Sequence, residues 1–112
     1  MKIEKFHIYL ADLNPRMGTE PGKVRPVVVV QTDLLNNIHP STIICPLTTH
    51  VKSADVLRVH VHKKEGILTK DSDILVDQVR AIDNSRFKKH LGKLAVSAQN
   101  QLIENLKILV LE

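Results

Sequence analysis

Aromatic side chains are almost missing from this sequence: Phe6, Tyr9 and Phe87 are the only three among 112 residues, and there is no tryptophan. A sheet that grips nucleic acid by stacking bases on several rings cannot be built from so few, so any such ligand must be held by phosphate contacts and hydrogen bonds. Cysteine is scarcer still. Cys45 alone excludes an intrachain disulfide framework and a cysteine-rich zinc module, and its place in an apolar run reads as core. No apolar stretch nears the ~18 residues of a membrane span. Met1–Lys2–Ile3–Glu4–Lys5 leads into a polar-interrupted strand pattern in place of a signal-peptide core, so the expectation is a cytoplasmic chain with no membrane partner. Nucleophile elbows, phosphate-cradling glycine loops, dinucleotide fingerprints, internal repeats and low-complexity segments are absent as well.

What is present is ordinary globular material, 43% hydrophobic and 25% charged. A chain of this length reads as one domain over residues 1–112. Sixteen Lys and Arg against twelve Asp and Glu give a net charge of +4, which permits a polyanionic partner without demanding one.

Most of the chain carries strand signals. Phe6, Ile8 and Leu10 alternate with His7, Tyr9 and Ala11, the period of a strand buried on one face. Val27 to Val30 is an unbroken β-branched run, expected to be covered on both faces. Ile43 to Leu47 is similar, but Pro46 cannot donate to a ladder and argues for an edge or a bulge. Leu57, Val59 and Val61 alternate with Arg58, His60 and His62, and Ile74 to Ile82 supplies a fifth strand long enough to bend. The period then changes: Ala98, Leu102, Leu106 and Leu109 share one face of a helix starting near Ser97. The expected class is therefore mainly β with a helix, a bent antiparallel sheet or small barrel of about five to seven strands. Between the first two strands, Asn14 to Lys23 is longer than a hairpin needs, and such loops are functional or mobile. Asp33 to Asn37 reads as a short helical turn, and Lys63 to Gly66 as a charged turn.

Four positions could carry chemistry. Arg25 follows the long loop and enters the valine strand, a place that fixes a planar cationic fork better than a loop does; a surface arginine, or one paired with Glu20, is the plainer alternative. Thr48–Thr49 closes the third strand, where a hydroxyl can donate to a phosphoryl oxygen or simply end a ladder. Asp77 interrupts an apolar strand and either pairs with Arg80 or Arg25 or accepts protons at a site. His60 and His62 lie two apart on one face and could bind a metal if a third ligand arrived. A solvated polar face is the commoner outcome, because no Cys or carboxylate cluster in the sequence completes the set, and no metal or other cofactor is expected.

Tyr9–Leu10–Ala11–Asp12–Leu13–Asn14–Pro15 followed by Gly18–Thr19–Glu20–Pro21–Gly22–Lys23–Val24–Arg25–Pro26–Val27–Val28–Val29 resembles the N-terminal signature of the MazF/PemK/Kid toxin endoribonucleases of bacterial toxin–antitoxin systems. Pro46–Leu47–Thr48–Thr49 and Asp77–Gln78–Val79–Arg80–Ala81–Ile82–Asp83 resemble its second and third motifs, in order and over nearly the whole chain. The sequence departs from the pattern where most members open the first strand with Gly-Asp and this one has Phe6–His7. It departs again where some members place His and Arg and this one has Thr19 and Leu75.

The resemblance implies a homodimer of SH3-like barrels that cleaves single-stranded RNA at short sequences without a metal and is silenced by an antitoxin protein. By motif position Arg25 and Thr48 look like the catalytic pair, with Asp77 or Glu20 as proton acceptor. Thr19, Lys23, Thr49, Gln78 and Arg80 would then contact the RNA. The residue types suit the chemistry independently, since attack by a 2′-hydroxyl on the adjacent phosphate builds negative charge that a guanidinium and a hydroxyl donor can stabilise. A CcdB-like poison, which binds a protein target on the same scaffold without catalysis, is the competing class.

Overall fold

In the computed structural model, which describes every residue from Met1 to Glu112, seven antiparallel strands precede one helix. They are β1 (His7–Asp12), β2 (Val24–Val29), β3 (Ser41–Thr48), β4 (Arg58–Val61), β5 (Ser72–Leu75), β6 (Arg80–Asp83) and β7 (Phe87–Lys93), followed by α1 (Val96–Leu106). The strands run in the order β4-β5-β3-β2-β1-β7, with β6 paired to β3. Mainly β with a C-terminal helix is thus the observed class, and the curled sheet is compatible with a small barrel.

Two apolar clusters lie on opposite faces of β1, β2 and β3. One gathers Ile8, Val28, Cys45 and Leu47 against β4, β5 and α1; the other gathers Tyr9, Val27, Val29 and Ile44 against Ile3, Ile82 and Phe87. The valine run is covered on both sides as its composition predicts. For β1 the one-sided expectation is corrected: Ile8, Tyr9 and Ala11 are all buried, because the strand divides the two clusters. Tyr9 tolerates this because its hydroxyl accepts from the Glu4 amide and donates to the Lys2 carbonyl, both at 2.9 Å.

Pro46 occupies neither an edge nor a bulge. It lies in the central strand β3, in the gap where that strand leaves β6 after Ile44 and joins β5 at Leu47, so no ladder partner faces it on that side. The single bent strand expected from Ile74 to Ile82 is two strands, β5 and β6, separated by a 3-10 turn over Val76–Gln78. A seventh strand went unread because Phe87–Lys93 is mostly charged and exposed, as suits the sheet edge it forms beside β1. α1 starts at Val96, beside the expected Ser97. Ala98 and Leu102 are buried as expected, but Leu109 is exposed in a wide final turn over Lys107–Leu111, and Asn105 takes a buried place instead. The Asp33–Asn37 turn forms, held by the Asn36 amide on the Thr32 carbonyl.

Candidate active site

The pairing of β2 with β3 decides the site. Val27 stands opposite Pro46 and Val28 opposite Cys45 in an antiparallel register. Carried two residues further, that register sets Arg25 across from Thr48, with both side chains on the same sheet face. The loop before β2 is anchored on both sides of this point. Lys23 holds a left-handed backbone (φ 66°), its amide donating to Asn14 Oδ1 at 2.8 Å and its carbonyl accepting from the Leu13 amide at 2.8 Å. Gly22 is required where it stands, since a Cβ there would lie 2.8 Å from the Arg16 Cβ.

Gly22 also carries the carbonyl that orients the guanidinium. Arg25 Nε donates to it at 2.9 Å, and Nη1 donates to the Leu47 carbonyl at 3.3 Å. Two of its five N–H groups are thus occupied and three remain. No carboxylate lies within 4.0 Å of Arg25, so the Glu20 pairing does not form. Partial burial, then the neighbouring Arg16 charge, lower its pKa from the ordinary guanidinium value, and the group stays cationic at neutral pH. Across from it, Thr48 Oγ1 accepts from the His50 amide at 3.2 Å, which leaves the hydroxyl proton to be donated outward.

Arg25, Thr48, Thr49, Lys23 and His50 line one cleft of about 320 Å³. A second, of about 610 Å³, opens from Arg25 and His50 toward Thr19 and Glu20. Asp77 and Gln78 belong to neither. They line a third groove of about 280 Å³, which shares only Thr19 with the second. Asp77 is exposed on the 3-10 turn, not inside a strand, and pairs with neither Arg80 nor Arg25; Arg80 lines none of the three clefts. His50 is the residue that sequence reasoning passed over. Its only signal was adjacency to Thr48–Thr49.

A half-buried cationic fork beside a hydroxyl free to donate lies in one cleft of a seven-stranded antiparallel sheet, the arrangement of a small β protein able to hold an anionic group. The chain belongs to the PemK-like, MazF-like toxin family of type II toxin–antitoxin systems, whose pattern it matches over residues 4–110. It is 39% identical over 103 residues to "Endoribonuclease MazF" of Staphylococcus epidermidis, a match covering 91% of this chain and 83% of the relative. Its fold is that of MazF from Deinococcus radiodurans, with a TM-score of 0.85 at 22% identity over 100% of this chain and 99% of the other. The same fold recurs in a MazE-MazF structure from that organism, with a TM-score of 0.80 at 21% identity, covering 98% and 96% of the two chains. No helix is long and apolar enough to cross a membrane.

Proposed function

We propose that this chain is a sequence-specific endoribonuclease, a single toxin domain over residues 1–112 that cleaves single-stranded RNA in the cytoplasm and is silenced by an antitoxin protein. The observation that carries the reading is the Arg25–Thr48 pair: three uncommitted guanidinium N–H groups and one free hydroxyl proton opening into a single cleft. The family match and the endoribonuclease relative support it. A poison that works through protein contacts has no need of such a clamp, which disfavours the CcdB-like alternative.

In the reaction, the ribose 2′-oxygen forms a bond to the adjacent phosphorus while the bond to the 5′-oxygen breaks, yielding a 2′,3′-cyclic phosphate and a 5′-hydroxyl. Arg25 clamps the phosphate and stabilises the charge that builds on it, and Thr48 donates to a phosphoryl oxygen. No metal is needed for that stabilisation. The 2′-hydroxyl proton must be accepted and the 5′-oxygen protonated, each worth ~10²–10⁴-fold when a side chain does it. Glu20, which shares a cleft with Arg25, takes the 2′-hydroxyl proton, and His50, which lines both clefts, gives a proton of its own to the departing 5′-oxygen. Asp77, one groove away, serves with Thr19, Lys23, Thr49, Gln78 and Arg80 in holding the strand. The chain acts as a homodimer, for which the exposed Ile103, Ile108, Leu109, Val110 and Leu111 supply apolar surface.

The test is incubation of purified chain with single-stranded RNA in excess EDTA, followed by end mapping. Cyclic-phosphate ends at a short recurring sequence are expected. A strict requirement for a divalent ion overturns the mechanism.

A further inference from the structure

The third ligand that the His60–His62 pair lacks in sequence is supplied by the fold. His60 lies in edge strand β4 and His62 just beyond its end, and Asp71 comes back from the far end of the following loop to face them. Asp71 Oδ2 stands 3.9 Å from His60 Nε2 and 4.0 Å from His62 Nδ1, while its Oδ1 accepts from the Lys63 amide at 2.8 Å. The two imidazole–carboxylate separations are too long for hydrogen bonds. The three ligand atoms lie within 4.8 Å of one another, and the two imidazoles meet edge to face at 4.4 Å between ring centres.

A second carboxylate behind the pair gives the arrangement its direction. Asp73 is buried and accepts from His60 Nδ1 at 2.9 Å, which leaves Nε2 as the ring nitrogen turned toward Asp71. Asp73 is itself held by the Arg58 guanidinium and the Lys52 amide, both at 3.0 Å. A carboxylate fixing the tautomer and orientation of a histidine in this way is the usual support behind a metal-ligating imidazole.

We propose that His60, His62 and Asp71 form a binding site for a borderline divalent transition metal, with zinc as the preferred ion and Asp73 as positioning residue. Tetrahedral ligation at about 2.0–2.1 Å sets ligand atoms roughly 3.4 Å apart, so from separations of 3.9 Å and 4.0 Å, and of at most 4.8 Å for the widest pair, the exposed His62 and Asp71 side chains close in by rotation about their side-chain bonds. Two imidazoles and one carboxylate suit zinc and exclude magnesium, which takes oxygen ligands. The bound ion ties the edge strand to the returning loop and leaves an open fourth position for water. This site is separate from the proposed ribonuclease centre and does not depend on it.

The experiment uses untagged chain, stripped with EDTA and desalted, titrated by calorimetry with zinc chloride and separately with magnesium chloride. One zinc per chain, no magnesium heat and a melting temperature raised by several degrees in zinc are expected. His62→Ala and Asp71→Asn, both at exposed positions, should each weaken zinc binding by about tenfold or more, while His39→Ala leaves it unchanged. Long-range proton–nitrogen spectra of the unaltered chain should show zinc shifting the imidazole signals of His60 and His62. No saturable zinc binding, equal binding of magnesium, or shifts confined to other histidines such as His7 and His90 would overturn the site.

Discussion

Two arginines at strand ends do opposite work in this molecule. Arg58 opens β4 and has its charge compensated: its Nη1 donates to Asp73 Oδ2 at 3.0 Å and to the His50 carbonyl at 2.6 Å, beside a carboxylate that is almost wholly buried. Arg25, next to the start of β2, meets only carbonyl oxygens and keeps its charge uncompensated. The same side chain is structural where a buried carboxylate completes it and available where only backbone dipoles orient it. A free guanidinium in a cleft is therefore a better sign of function than a strand-end arginine as such.

Breaking the structural member should cost the most stability. Asp73→Ala leaves Arg58 without its counter-ion and is expected to destabilise the fold by about 3–5 kcal/mol, read as a large drop in the urea midpoint; a loss under 1 kcal/mol would mean the pair is no anchor. Arg25→Ala should do the reverse, lowering turnover on RNA by about 10²–10³-fold with the melting temperature nearly unchanged. If it melts far lower instead, the two arginines do not differ as argued.

Gly22→Ala probes the seat of the free guanidinium. The added methyl meets the Arg16 Cβ, displaces the carbonyl that receives Arg25 Nε, and should cut turnover about tenfold or more while RNA binding, measured separately, weakens less. Wild-type kinetics would show that the seat is not needed.

Acid sharpens the comparison further. Burial pushes the Asp73 carboxyl up, but hydrogen bonds from His60, the Lys52 amide and Arg58 outweigh it and hold its pKa below the ordinary value. Asp33, Asp71 and Asp83 are lowered too, mainly by hydrogen bonds from Asn36, the Lys63 amide and Ser85. Each depressed carboxyl stabilises the fold above its unfolded pKa and loses that contribution as pH falls through the folded one, so melting temperature should drop below about pH 4. Asp73→Asn should flatten that slope. The smallest effect concerns Cys45, whose thiol is pushed up to about 12, first by burial and then by the Asp77 charge. Alkylation at pH 8 should therefore be no faster than unfolding, and rapid labelling would show that the β3 frame beneath Thr48 opens locally.

Much of the fold was legible where the signal is local. The β-branched run at Val27 to Val30 announces a doubly covered strand, and Ala98 and Leu102 announce the buried face of α1. What failed did so for physical reasons. Tyr9 looked like an outward residue because its alternation assumes one core, and β7 went unread because an edge strand needs little apolar content. Asp77 read as a buried strand carboxylate because no local signal marks the 3-10 turn that turns it outward.

From the order of residues alone came the candidates: a cationic fork after a Gly/Pro-rich loop, a hydroxyl pair ending a strand, two histidines on one face, and motifs that mark the family. Their spacing along the chain is a local property, and local periodicity and backbone preference suffice to read it. Which of them meet was settled only by folding. The β2–β3 register brings Arg25 to Thr48, the 3-10 turn moves Asp77 a groove away, and the return of β5 delivers Asp71 and Asp73 to the histidines, because cross-strand distance depends on how separate strands pair.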